Sequence, residues 1–104
     1  MFSRVTKAIK AFQERRFVII FSEEEGEADL AIPAQEVTAE AIMFAARVAS
    51  GLLCLALPKQ KLQELEIDSL PSRYRAQDTP FFMPVDAVGV GSGTSAKDRA
   101  TTIK

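Results

Sequence analysis

Hydrophobic spacing along the chain changes character several times, and each change marks an element. Val5, Ala8, Ile9 and Phe12 recur at helical spacing with Lys7, Lys10 and Gln13 on other faces, which predicts an amphipathic helix over residues 3–15 with Ser3 as a cap. Phe17-Val18-Ile19-Ile20-Phe21 is an unbroken apolar run of strand length, as expected of a strand covered on both faces. Ser22-Glu23-Glu24-Glu25-Gly26-Glu27 reads as a loop, and residues 28–32 as a short second strand closed by Pro33. Thr38 is placed to cap a helix reaching about Ala49, with Ile42, Ala45, Ala46 and Ala49 as a small-residue stripe and Gly51 at the C-terminal cap.

Leu52 to Leu57 reads as a buried strand, followed by a short helix opening at Pro58 and running to about Glu66. Residues 67–80 carry no periodicity and are expected to be irregular. Phe81 to Val90 reads as a strand, although Pro84 removes a ladder donor and pushes it toward an edge or a bulge. A last helix opens at Ser95 or Asp98. The alternation predicts an α+β fold, a mixed β-sheet packed by helices, in a single domain spanning residues 1–104.

Composition narrows the function classes. At 104 residues with 47% apolar and 26% charged positions, the chain can bury a modest core. Its net charge of −1 gives no electrostatic support to a nucleic-acid partner. The greasy stretch from Ala41 to Leu57 is broken by Arg47, Ser50 and Gly51, so no membrane span is expected. Arg4, Lys7 and Lys10 precede no apolar signal-type region, and the single Cys forms no internal disulfide; a reducing cytoplasm is the expected location.

Three segments carry candidate chemistry. Glu23, Glu24, Glu25, Glu27 and Asp29 place five carboxylates within seven residues, and in an extended segment Glu25, Glu27 and Asp29 would point the same way. That suits a hard divalent cation, although charged loop clusters are more commonly solvated acidic turns. Cys54, within Gly51-Leu52-Leu53-Cys54-Leu55-Ala56-Leu57, reads from the residues alone as a small buried hydrophobe. Ser92-Gly93-Thr94-Ser95-Ala96-Lys97-Asp98-Arg99 puts glycine and short hydroxyl residues ahead of a helix, a pattern that serves either a helix start or a phosphate.

Together these segments resemble the 3,4-dihydroxy-2-butanone 4-phosphate synthase family of riboflavin biosynthesis. The family's Thr-Gly-x-Ser-Ala-x-Asp-Arg segment, often followed by Ala-Thr-Thr-Ile, is matched by residues 92–103 with Ser92 in place of the leading Thr. Its Gly-Leu-Ile-Cys-Leu-Ala-Leu is matched by residues 51–57, and its Glu-x-Glu-x-Asp by Glu25-Gly26-Glu27-Ala28-Asp29. Phe81-Phe82-Met83-Pro84-Val85-Asp86-Ala87 stands where the family has Phe-Thr-Val-Ser-Val-Asp-Ala, before a shortened connector. The chain departs from the pattern at Glu24, where the family has Arg, at Ile20-Phe21, where it has an acid, and at Ala49-Ser50, where it has Gly-Arg or Gly-Ser.

The resemblance implies the N-terminal part of a three-layer fold and a lyase that converts ribulose 5-phosphate to formate and 3,4-dihydroxy-2-butanone 4-phosphate. It implies Glu25 as a ligand of Mg2+ or Mn2+, bound weakly by this chain alone. Glu27, Asp29 and Cys54 become active-site residues, and Ser92, Gly93, Ser95, Asp98 and Arg99 the binders of the sugar phosphate substrate. Family members use His as metal ligand and acid/base, whereas this sequence contains none. The expectation is therefore an enzyme-like chain that is inactive without a His-bearing second half, forming a homodimer or pairing with a complementary chain. The alternative is a degenerate, non-catalytic interaction module derived from that enzyme.

Overall fold

The computed structural model describes residues 2–71, 73 and 80–104. Its elements are α1 (Phe2–Gln13), β1 (Val18–Ser22), β2 (Glu27–Ala31), α2 (Ala39–Val48), α3 (Lys59–Glu64) and α4 (Ala96–Ile103). The α+β class expected from the alternation holds. The sheet, among the described residues, is one antiparallel hairpin of β1 and β2.

Helix α1 already includes Phe2, so Ser3 lies inside its first turn rather than at a cap, and the Ser3 side chain lies outside those described. The helix ends in a Schellman motif: Arg15 takes φ +61°, its N–H donates to the Phe12 carbonyl at 3.0 Å, and the Arg16 N–H donates to Ala11 at 2.9 Å. The chain then turns directly into β1. Phe17, at the head of that strand, tilts against Phe44 of α2 with ring centroids 5.1 Å apart. An exposed ion pair between Arg15 and Glu36 also ties the end of α1 to the turn before α2.

The β-branched and aromatic run of β1 and the acidic tetrapeptide after it make a hairpin for separate reasons. Val18, Ile19 and Ile20 favour extended backbone. Gly26 takes φ +67° and donates its N–H to the Ser22 carbonyl at 2.9 Å, closing the turn before Glu27 pairs with Ser22.

The core sits between the last two long helices. Thr38 caps α2 through its Oγ1, which accepts from the Ala41 N–H at 3.1 Å, as the sequence predicts. Ser95, rather than Asp98, caps α4 by accepting from the Asp98 N–H at 3.0 Å. Ile42 of α2 and Ala100 of α4 meet there with Val37, flanked by Ile32, Ala41, Ala96 and Ile103. The small-residue stripe is only partly used, since Ala46 and Ala49 remain exposed.

Three strand expectations need correction. Strand β1 is not covered on both faces: Ile19 is 70% exposed, with Ile20 and Phe21 also exposed. Leu52 to Leu57 forms no ladder among the described residues, and only Leu57 is partly buried. Residues 81–90 contribute a single bridge, Phe82 to Ser69, supported by the Leu70 N–H to Phe81 carbonyl and Met83 N–H to Asp68 carbonyl bonds, both 2.9 Å. For the last two the cause is that an apolar run becomes a strand only where a second strand satisfies its N–H and C=O groups; β1 has that partner, and it is its side chains that stay exposed. Residues 72 and 74–79 of the stretch expected to be irregular lie outside the described residues.

Candidate functional site

The hairpin positions the carboxylates unevenly. Alternation along β2 puts Glu27 and Asp29 on one face, across from Ser22 and Ile20 of β1. Glu25 does not share that alternation. It sits in the turn, where its N–H donates to the Ser22 Oγ at 3.3 Å, so the expected convergence of all three in one extended segment reduces to the Glu27 and Asp29 pair beside a turn carboxylate. All five acids from Glu23 to Asp29 are exposed, and among the described residues none of them has an ion-pair partner.

This donor set fits part of a magnesium site. No group of three or more Asp, Glu, Cys or His side chains able to hold a metal occurs among the described residues. Magnesium, however, commonly takes only one or two protein carboxylates and completes its octahedron with water and substrate oxygens. Exposed, hard oxygen donors on a hairpin tip meet that lesser demand.

Cys54 is exposed, in an extended stretch outside any strand, which corrects its reading as a small buried hydrophobe. Its thiol is therefore presented to solvent beside exposed Leu53 and Leu55.

Ser92, Gly93, Ser95 and Asp98 come together with Thr94 at the start of α4, where their polar groups are largely satisfied, and Arg99 follows in the first turns of the helix. The Ser92 and Thr94 hydroxyls lie 2.9 Å apart, Ser95 caps the helix, and the Asp98 Oδ2 accepts from the Gly93 N–H at 3.3 Å. Asp98 thus serves as the N3 carboxylate of a capping arrangement and neutralises the positive end of the helix. Arg99 is half-buried.

Asp86 belongs to this cluster and was not among the candidate residues. Gly93 is buried with φ +77°, and a Cβ built on it would lie 2.5 Å from both Cγ and Oδ2 of Asp86. The next residue, Ala87, donates its N–H to the Thr102 Oγ1 at 3.0 Å, and that hydroxyl donates to the Asp98 carbonyl at 3.1 Å. Segment 86–87 is in this way laced across α4. The sequence signal was a glycine next to short polar residues, which marks a close approach without saying what approaches.

The profile of the 3,4-dihydroxy-2-butanone 4-phosphate synthase family matches residues 6–104. A 3,4-dihydroxy-2-butanone 4-phosphate synthase of Desulforapulum autotrophicum is 38% identical over 105 residues, covering 97% of this chain and 48% of the relative. A probable bifunctional, chloroplastic riboflavin biosynthesis protein of Oryza sativa subsp. japonica is 35% identical over 98% of this chain and 20% of its own length. A crystal structure of 3,4-dihydroxy-2-butanone 4-phosphate synthase in complex with two magnesium ions superposes with a TM-score of 0.88 at 32% identity, over 95% of this chain and 48% of that one. The chain spans about half the length of the synthases it matches.

Proposed function

The chain belongs to the 3,4-dihydroxy-2-butanone 4-phosphate synthase family, and on that premise we propose that it supplies the carboxylate side of a site for ribulose 5-phosphate, which becomes active only with a His-bearing segment. The observation that carries this reading is the hairpin tip, where Glu25-Gly26-Glu27-Ala28-Asp29 keeps the family spacing and sets Glu27 and Asp29 on one exposed face.

Glu25 is the cation ligand in this proposal, Mg2+ or Mn2+, held weakly because one turn carboxylate is a small share of a coordination shell. The bound cation would polarise the substrate's ketose oxygens as a Lewis acid. Glu27 and Asp29 accept and return the protons that move between adjacent carbons, a task suited to solvated carboxylates on a rigid strand. Cys54 borders the same site, and the Ser92 to Arg99 cluster takes the phosphate end. Glu24 opposes that end, because a carboxylate replaces the family's guanidinium and repels a phosphate where the other would bind it. Compensating positive charge and the missing imidazole acid/base must come from the His-bearing segment. A homodimer follows from the same family analogy, with β1 as a face that gains cover.

Formate release from ribulose 5-phosphate with magnesium present is the test. The 104-residue chain alone is expected to give none, and mixing or fusing it with the half of the Desulforapulum autotrophicum relative that this chain does not cover is expected to give turnover that Glu27→Gln and Asp29→Asn abolish. Robust turnover by the chain alone would overturn the requirement for a second segment. A folded complex without turnover would favour the second reading, a non-catalytic module descended from the enzyme, to which the charge reversal at Glu24 already points.

A further inference from the structure

The polar loop before α4 turns on a glycine that cannot hold its own conformation. Gly93 is buried at φ +77°, and a glycine enters left- and right-handed backbone regions about equally readily, so whatever keeps this turn comes from its neighbours. Two carboxylates do so, one at its N–H and one at its Cα. Asp98, inside α4, accepts the Gly93 N–H on its Oδ2 at 3.3 Å. Asp86 closes the Cα side, where both its carboxylate oxygens crowd the space that a Cβ on Gly93 would take. The Asp86 carboxylate has no hydrogen-bond or ion-pair partner among the described residues, so its place against Gly93 is not the by-product of an ion pair. The backbone beside it is held by α4: the Ala87 N–H donates to the Thr102 Oγ1 at 3.0 Å, and that hydroxyl donates to the Asp98 carbonyl at 3.1 Å.

We propose that Asp86 is a positioning residue for the phosphate end of the site, bracing Gly93 so that the Ser92 and Thr94 hydroxyls, 2.9 Å apart, stay in one turn geometry. The inference rests on the assignment of residues 92–99 to the phosphate end. Asp86 acts through the glycine. A carboxylate repels a phosphate, so its charge works against binding and its benefit is one of shape. The two effects have opposite sign and can be separated, because asparagine keeps the outline of the side chain without the charge and alanine loses both. An unbraced glycine spread over several backbone wells spends only part of its time in the binding-competent turn, and the apparent affinity falls by that fraction: a turn occupied about one fifth of the time binds about fivefold more weakly. Thr102 stands one step further back. Removing its hydroxyl frees the Ala87 N–H and releases segment 86–87 from α4.

Amide chemical-shift titration of the full chain with inorganic phosphate, at constant ionic strength and without metal, is the test. The wild type should show saturable shifts in residues 92–99. Asp86→Asn should bind at least as tightly as the wild type, and Asp86→Ala about fivefold more weakly than Asp86→Asn, although neither variant carries the charge. Thr102→Val, which keeps the side-chain shape without the hydroxyl, should weaken binding in the same direction as Asp86→Ala. Hydrogen exchange at the Gly93 N–H should be faster in Asp86→Ala than in Asp86→Asn. Urea midpoints are measured beside the affinities: a residue serving stability alone would move the midpoint and leave the affinity of the folded chain unchanged, which would overturn the proposal. Equal affinities for the Asn and Ala variants beside normal wild-type binding would overturn it too, and leave the phosphate assignment standing. No saturable shift in residues 92–99 of the wild type would overturn the phosphate assignment and this proposal together.

Discussion

Replacing Gly93 by Ala probes the cluster that joins segment 86–87 to α4, and its cost can be separated into parts. Gly93 and Gly26 both sit in the left-handed region, at φ +77° and +67°, where an L side chain costs about 1–2 kcal/mol. They differ in surroundings: a Cβ at Gly26 meets nothing within 4 Å, whereas one at Gly93 collides with the Asp86 carboxylate. Asp86 is an exposed, short side chain that can swing aside, so the collision costs about 0.5–1.5 kcal/mol, the scale of an enforced off-rotamer position. Any shift of the loop also weakens the 3.3 Å bond from the Gly93 N–H to Asp98, for about another 0.5–1.5 kcal/mol. Gly93→Ala should therefore destabilise by about 1–3 kcal/mol more than Gly26→Ala, a midpoint difference of about 0.5–1.5 M in urea for a slope near 2 kcal/mol/M. Circular dichroism at 222 nm follows the unfolding. Adding Asp86→Ala to Gly93→Ala should recover the collision part, because the double variant leaves the new methyl group unopposed. Equal midpoints for the two glycine variants, or no recovery on removing Asp86, would show that Asp86 does not press on Gly93 in solution.

Two further outcomes follow from the site. Calorimetric titration with magnesium should show weak binding that Glu25→Gln removes; equal binding by both proteins would place the ion elsewhere or reduce it to diffuse attraction to the acidic turn. Cys54 should react with a thiol reagent in the folded protein within a few-fold of its rate in denaturant, and Cys54→Ser should shift stability by less than about 0.5 kcal/mol, as for other exposed positions. A thiol protected by folding would contradict its exposed placement.

The helices were legible because their signals are local. Thr38 and Ser95 identify themselves by a short hydroxyl residue before a periodic stretch, and both caps form as read. The acidic turn was equally plain, since four polar residues ending in glycine between two apolar runs have few other fates. What the residues could not convey was pairing. Leu52 to Leu57 has the composition of a strand, yet whether it becomes one depends on a partner whose identity no local pattern encodes. The site divides along the same line. Spacing placed Glu27 and Asp29 on one face, but Asp86 against Gly93 is a non-local juxtaposition between residues with unremarkable neighbours.

Packing density is likewise uneven, and it bears on where function resides. A compact chain of 104 residues would have a radius of gyration of about 13 Å, whereas this one reaches 15.0 Å. The excess does not lie between α2 and α4, whose contact buries Ile42 and Ala100 to within 5% of full burial. Elsewhere apolar side chains are left open: Ile19, Ile20 and Phe21 of β1 face solvent, as do unladdered Leu52, Leu53 and Leu55. Apolar area of that extent on a strand is rarely left uncovered in a stable assembly. The carboxylates proposed to handle the substrate are carried by this open hairpin, while the buried core is carried by the closed helix pair. Covering β1 would hold Glu27 and Asp29 in a fixed frame and lower the dielectric around them, strengthening any interaction with a cation or a sugar oxygen. If the proposed function holds, assembly and catalytic competence would be coupled through one strand, since a partner that buries β1 would border the face that carries Glu27 and Asp29.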